Sequence, residues 1–311
     1  MAGHNSGADT YYVPEQSKLA LALATSVAVL ILGASIGLNG LTFGDGASWG
    51  MMYVGLLAFV VTLAVWFGQT IKENRAGMNS EQLKHSYVLG MQWFIFSEVM
   101  FFACFFGVLF YVRNLAGPWL AGEGDKAVTN LLWDGFQYDW PMSTTPQESV
   151  GGVASQVPAN TGTFEGPKEE MKWTGIPLIN TILLLSSSVT LHFAHVALKN
   201  GKRKPFNVWL GVTLLLGFTF VGFQAYEYYH AYNHLGLTLD AGIYGSTFFI
   251  LTGFHGFHVC MGAIMLTVQW LRSTVGGHFT ETDQFGFEAS SWYWHFVDVV
   301  WVGLFLFVYI I

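Results

Sequence analysis

Residues 176–198 read IPLINTILLLSSSVTLHFAHVAL, a run with no Asp, Glu, Lys or Arg. About 20 such residues, rising ~1.5 Å each as a helix, cross roughly 30 Å of hydrocarbon. The middle, LLLSSSVTL, lacks the apolar–polar alternation of a membrane β-strand. Lipid offers the backbone no hydrogen-bond partner, so the run must be a helix. Working outward, six more stretches are long enough and mostly apolar: 19–41, 49–71, 87–112, 206–230, 243–270 and 292–311. The expected fold is all-α, a polytopic membrane protein with seven transmembrane helices in a single membrane domain over 1–311.

Composition supports this. The chain is 52% hydrophobic, 17% aromatic and only 11% charged, with a mean hydropathy of +0.43. Soluble domains carry about 25% charged residues, so part of the solvent is lipid. No basic, aromatic-rich surface for nucleic acid is laid out. Cys104 and Cys260 both fall within apolar runs, which does not suit a disulfide framework. The first residues, MAGHNSGADTYYVPEQSK, lack the charged and apolar regions of a signal peptide.

Lys and Arg in short loops set the orientation. One side collects Lys18, Lys72, Arg75, Lys84, Lys199, Lys202, Arg203, Lys204 and Arg272, and the other Arg113, Lys126, Lys168 and Lys172. This predicts a cytoplasmic N-terminus and a periplasmic C-terminus. The long connection 114–173 then lies outside. It is acidic and Gly/Pro-rich, with a polar middle that has little to bury. Trp119, Trp133, Phe136, Tyr138 and Trp140 suggest that its first half docks on something. It reads as a solvated insertion or as a face for a basic partner. No internal repeat of the transporter kind is visible.

Ionisable residues within apolar runs are the candidate functional groups. Glu98, in MQWFIFSEVMFFACFF, sits about 18 Å along its helix at ~1.5 Å per residue. Phe94, Ile95, Phe101 and Phe102 surround it at helical spacing and offer no counter-ion. It reads as a proton-exchanging or lipid-facing carboxyl, or as an acid bonded to a neighbouring helix. His255 and His258, in GFHGFHVCMG, share a helix face at matching depth and are possible partners of Glu98. His192 with His195, and His295 with Asp298, form further pairs, while Glu227, His230 and His234 run along another face. Gly253 and Gly256 permit close helix contact. These spacings are weak evidence for metal or haem, because no carboxylate–histidine motif recurs across helices. No phosphate-binding Gly loop or CxxC occurs.

FIFSEVMFF, IPLINTILLLSSSVTLHFAHVAL, YGSTFFILTGFHGFHV and HFTETDQFGFEASSWYWHFVDVVW closely resemble signature stretches of cytochrome c oxidase subunit III. The likeness is strong over the third to seventh helices and weaker over the first two. It implies an accessory core subunit of a respiratory haem–copper oxidase, which couples oxygen reduction to proton pumping. Its helices would form a two-helix and a five-helix group around a lipid-filled cleft. No catalytic residue or metal is expected here, with haem and copper in the partner subunits. The chain would support proton uptake and stability of subunit I, its main contact, alongside subunit II. Structural phospholipids are the bound groups implied, with Glu98, Lys72, Arg272 and His278 as lipid-binding positions. Cytochrome c or a further respiratory complex could meet the outer loop. The length of that loop departs from animal mitochondrial forms and points to a bacterial plasma membrane. Asp283 and Gln284 stand where mitochondrial chains often carry histidines. The competing reading is a stand-alone proton-coupled transporter using Glu98 and the histidines as a relay.

Overall fold

The computed structural model describes residues 17–40, 47–133, 135–146, 149, 166–280 and 284–311. Seven helices there are long and apolar enough to cross a membrane, and the described residues contain no strand. They are α1 (Leu19–Leu38), α2 (Ala47–Arg75), α3 (Glu81–Tyr111), α4 (Ile176–Lys199), α5 (Arg203–His230), α6 (Gly242–Thr274) and α7 (Phe285–Leu304). We call the end that bears the 112–175 connection the loop end, and the opposite one the far end. Most of the expected middle of that connection, and Asp283, lie outside the described residues.

Several helices exceed their apolar windows. α3 begins at Glu81 rather than residue 87, because Ser80 Oγ accepts from Leu83 N at 3.3 Å and Glu81 occupies the favourable first turn. α2 continues to Arg75 and stops where Gly77 adopts φ 72, a left-handed cap that glycine accepts readily. α7 begins at Phe285, not residue 292, since its first turns pack: Phe287 is fully buried and stands edge-on to Phe206 at 4.9 Å. α5 starts at Arg203 and α6 ends at Thr274, each a few residues outside its expected span. Hydropathy sees only the lipid-facing length of a helix, not the polar turns beyond it.

The chain divides into two compact units, Met1–Gly90 and Met91–Ile311, with the boundary inside α3. In the first, α1 and α2 form a hairpin in which Gly33 meets the Met52 backbone and Gly55 the Leu30 backbone. A side chain at either glycine would collide with main chain, so the close approach depends on both.

In the second unit α7 carries the most buried helix surface, with Trp294 and Trp301 fully enclosed. The Trp294 ring fills the space left by two glycines, Gly217 of α5 and Gly262 of α6. Its Nε1 donates to Ser187 Oγ of α4 at 2.9 Å. One side chain thus ties α7 to three neighbours.

The 112–175 connection is not a plain loop. π-helical turns at Val112–Ala116 lead into helical Gly117–Leu120, then a 3-10 segment at Gly124–Leu131. Phe136 and Met142 are buried, and Tyr138 donates to Arg113 O at 2.6 Å. Trp140 stands edge-on to Tyr244 at 5.7 Å. On the return, Lys168 N donates to Leu235 O at 2.9 Å, and Met171 N to the Tyr244 hydroxyl at 3.2 Å. The aromatic first half therefore folds onto the ends of its own helices. Burial pushes the Tyr138 phenol above its usual range, with nearby Arg113 opposing.

Candidate functional site

Glu98 of α3 meets His258 of α6, with Oε2 and Nε2 2.9 Å apart. The helical period sets this up. Phe101 and Phe102, one turn on from Glu98, pack on the same imidazole at 5.9 and 5.0 Å. Tyr293 stacks on it at 6.3 Å. The histidine side chain is 7% exposed and the carboxylate 23%, so the pair has one dry partner and one that reaches the surface.

The imidazole's second nitrogen decides what the pair can do. His258 Nδ1 lies 2.6 Å from the Phe254 carbonyl, which can only accept, so Nδ1 carries a proton. Nε2 then either accepts from a protonated Glu98 or, in the imidazolium form, donates to its carboxylate. Both arrangements hold one proton between the two atoms and leave the pair with no net charge. A proton can change sides without placing a net charge in a low-dielectric setting, where it would be costly.

His255 faces elsewhere. Its Nε2 donates to Val297 O at 3.2 Å, its ring packs on Trp301 at 5.0 Å, and it is fully buried. Depth suits both histidines to Glu98, but three residues along a helix rotate the side chain toward α7.

The other polar candidates separate in the same way. His195 lies 3.3 Å from Glu288 Oε1, while His192 is exposed. His295 Nδ1 lies 2.7 Å from Ser188 Oγ and 3.6 Å from Asp298 Oδ2. Trp301 Nε1 donates to Thr181 Oγ1 at 3.0 Å. Besides the Trp294–Ser187 bond, three links between α4 and α7 fall on 181, 188 and 195, a seven-residue repeat that meets 301, 295 and 288 on the antiparallel helix, spaced six and seven. A heptad keeps one seam facing its partner, and here the seam is polar. Glu227 accepts from the buried Tyr309 hydroxyl at 2.6 Å, whereas His230 and His234 pair ring to ring at 5.0 Å. Ser188, Thr181, Glu288 and Tyr309 were not candidates. The i, i+7 spacing of polar residues within 176–198 is the signal that points to the first two.

At the far end the basic candidates of the second unit assemble. Arg272 Nη1 donates to Gln269 Oε1 at 2.9 Å, and its guanidinium lies 4.7 Å from the Phe279 ring centre. His278 N donates to Arg272 O at 3.2 Å. Arg203, not singled out from sequence, reaches the same turn, bonding Gly277 O and Phe279 O at 3.0 and 2.7 Å. Lys72 belongs to the other unit, exposed in the last turn of α2. Among the described residues no group of three or more His, Cys, Asp or Glu could hold a metal ion.

The family model described as cytochrome c oxidase subunit III matches residues 9–122 and 156–311. The unmatched stretch, 123–155, falls within the long connection. Curated relatives named cytochrome c oxidase subunit 3 include that of Carassius auratus, 36% identical over 260 residues, 83% of each chain. That of Squalus acanthias matches at the same identity and coverage. The Triticum aestivum protein is 35% identical over 269 residues, 86% of this chain and 84% of its own.

Proposed function

The chain belongs to the cytochrome c oxidase subunit III family, and from the site geometry we propose how it serves that oxidoreductase complex. As an integral membrane subunit of a respiratory oxidase, it works in assembly with other oxidase subunits. Its proposed part is to support proton uptake and lifetime of subunit I rather than to carry redox chemistry. Haem and copper are assigned to the partner subunits. Subunit I is the proposed main contact, with subunit II beside it, and the acidic loop faces cytochrome c or a further respiratory complex.

One observation carries this reading: Glu98 Oε2 stands 2.9 Å from His258 Nε2 inside the span, with the carboxyl edge still reaching the surface. Such a pair can pass its shared proton from one partner to the other at a lipid-lined face while staying neutral, and exchange with the surroundings changes its charge by a single unit. Lys72, Arg272 and His278 are the proposed contacts for phospholipid headgroups, since they are basic or ionisable and stand at helix ends. Phospholipids bound there would serve a structural role. The bias of Lys and Arg supports an N-terminus on the inner side. The stretch unmatched by the family model, 123–155, supports a bacterial plasma-membrane origin. The two-helix and five-helix grouping around lipid belongs to the same proposal.

The test is Glu98→Ala in the intact oxidase. Haem content should stay unchanged, while carbodiimide sensitivity, retained phospholipid or lifetime during turnover should fall. Loss of haem would refute the assignment. His258→Phe should alter carbodiimide labelling of Glu98 severalfold, because the carboxyl then loses the base that shares its proton. An unchanged labelling rate would show that the pair does not act as one.

A further inference from the structure

The loop-end part of the second unit contains buried polar atoms that no described residue satisfies. Asn180 of α4 is fully buried, and neither of its amide atoms has a hydrogen-bond partner among the described residues. One oxygen of Glu227 is likewise without a partner, and both amide atoms of Gln224 on α5 lack a bond of good geometry, with the Tyr309 hydroxyl their near polar neighbour. Gln224 is 6% exposed and Glu227 1%. Buried polar groups are almost always paired, with protein or with ordered water, so such a concentration calls for a ligand.

Helix register brings these residues to one level. Thr190 and Thr213 bond across the α4–α5 interface at 2.8 Å. Asn180 lies ten residues from Thr190 toward the loop end, and Gln224 eleven from Thr213. At ~1.5 Å per residue the two amides stand level to within about 2 Å. Asn180 belongs to the buried stripe of α4 that includes Leu184, Ser187 and Leu191. Gln224 belongs to the stripe of α5 that includes Gly217, Phe220 and Glu227. The Tyr309 hydroxyl donates to Glu227 and lies within reach of Gln224.

Aromatic rings border this level on both sides. Toward the loop end Tyr309 packs on Phe248 at 5.5 Å, Phe248 on Tyr244 at 6.2 Å, and Tyr244 on Trp140. Toward the far end Trp301 stands 6.0 Å from Tyr309 and 4.8 Å from Phe220.

The chemistry of the orphaned atoms selects the guest. Two amides present donors and acceptors together, and the carboxyl adds one more oxygen. A cation would face the amide N–H groups, an anion would face Glu227, and an apolar guest would leave every group unpaired. A small neutral molecule that both donates and accepts suits them all. We propose that Asn180, Gln224 and Glu227 form an internal water site, in which ordered water bridges the α4 and α5 amides and solvates the Glu227 carboxyl. Glu227 is then a hydrated acid inside the helix bundle, behind an aromatic cap contributed partly by Trp140 of the long connection. This site is independent of the Glu98–His258 pair.

The test is a map of the intact oxidase, resolved well enough to show ordered water elsewhere within its membrane region. Density is expected at hydrogen-bond distance from the Asn180 and Gln224 amides and from the second Glu227 oxygen. Direct bonding of the two amides to each other or to Glu227, or a dry gap between them, would overturn the proposal. Gln224→Met, close in size but without the amide, should lose the peak held by Gln224 in the assembled complex. Peaks unchanged in that variant would also overturn the site as drawn. If the variant does not assemble, the native map decides.

Discussion

In the α1–α2 hairpin two backbones touch, whereas in the α4–α7 core side chains reach across between helices. Gly33 and Gly55 bring α1 and α2 into main-chain contact, and Thr25, Ser26, Thr62 and Thr70 all bond carbonyls of their own helix. In the core, Trp294, Trp301, Ser188 and Tyr309 each bond a different helix. Burial follows the same division: 11% and 6% of the α1 and α2 spans are buried, against 50% and 56% for α6 and α7. A hairpin so exposed leaves its outward surface to lipid or to partner subunits. The core specifies its own packing, because each cross-helix bond has one permitted register.

The sharpest way to break this contrast is Trp294→Ala. It empties the space between Gly217 and Gly262 and removes the bond to Ser187. The expected loss is about 3–5 kcal/mol, as for other large aromatic-to-Ala changes in packed interiors. A lowered melting temperature of the oxidase, or loss of this subunit on purification, would register it. A near-neutral outcome would mean that the core is not held from its centre.

The hairpin should respond to addition rather than removal. Gly33→Leu forces a side chain against the Met52 backbone, an overpacking cost of about 1–3 kcal/mol. Gly50→Leu is the control, since nothing lies within 4 Å of a Cβ at Gly50. Spin labels on α1 and α2 should move apart in the first variant and not in the second. Equal behaviour would remove the case for backbone contact.

The polar seam allows a finer test. Ser188→Ala should cost about 1 kcal/mol, the scale of interhelical hydrogen bonds within membranes. A double-mutant cycle with His295→Phe should show coupling between the two positions. The same cycle between Ser188 and His258, which share no contact, should show none.

Seven spans were readable from apolar length because a bilayer sets one thickness for all of them. Their ends were not, since Ser80 and Phe287 act through capping and packing that hydropathy ignores. Glu98 stood out as a charge among phenylalanines. Choosing between His255 and His258 required the rotation of α6 against α3, which depth alone does not give. Trp294 was hidden for a related reason: one more tryptophan in an aromatic-rich helix means nothing until Gly217 and Gly262 are seen opposite it. The heptad of Thr181, Ser188 and His195 was present in the sequence, but it becomes a seam only when α7 supplies the matching positions.

The long connection gives the smallest expected effect, because water stands close to its bonds. Tyr138 donates to Arg113 O much as Trp301 donates to Thr181, yet Tyr138 lies outside the spans. Tyr138→Phe should weaken docking of residues 117–142 by about 0.5 kcal/mol, the low end for a hydrogen bond. The direction with pH follows from the raised phenol. An ionised phenol cannot donate, and the docked state favours the neutral form. Its contribution is therefore complete below the free phenol's pKa of about 10 and is lost as pH rises through the higher docked value. Hydrogen exchange over 117–142 should accelerate above that pH in the native chain, and the Phe variant should lack that step. If both accelerate alike, docking depends on Phe136 and Met142 rather than on the phenol, and the connection resembles the hairpin more than the core.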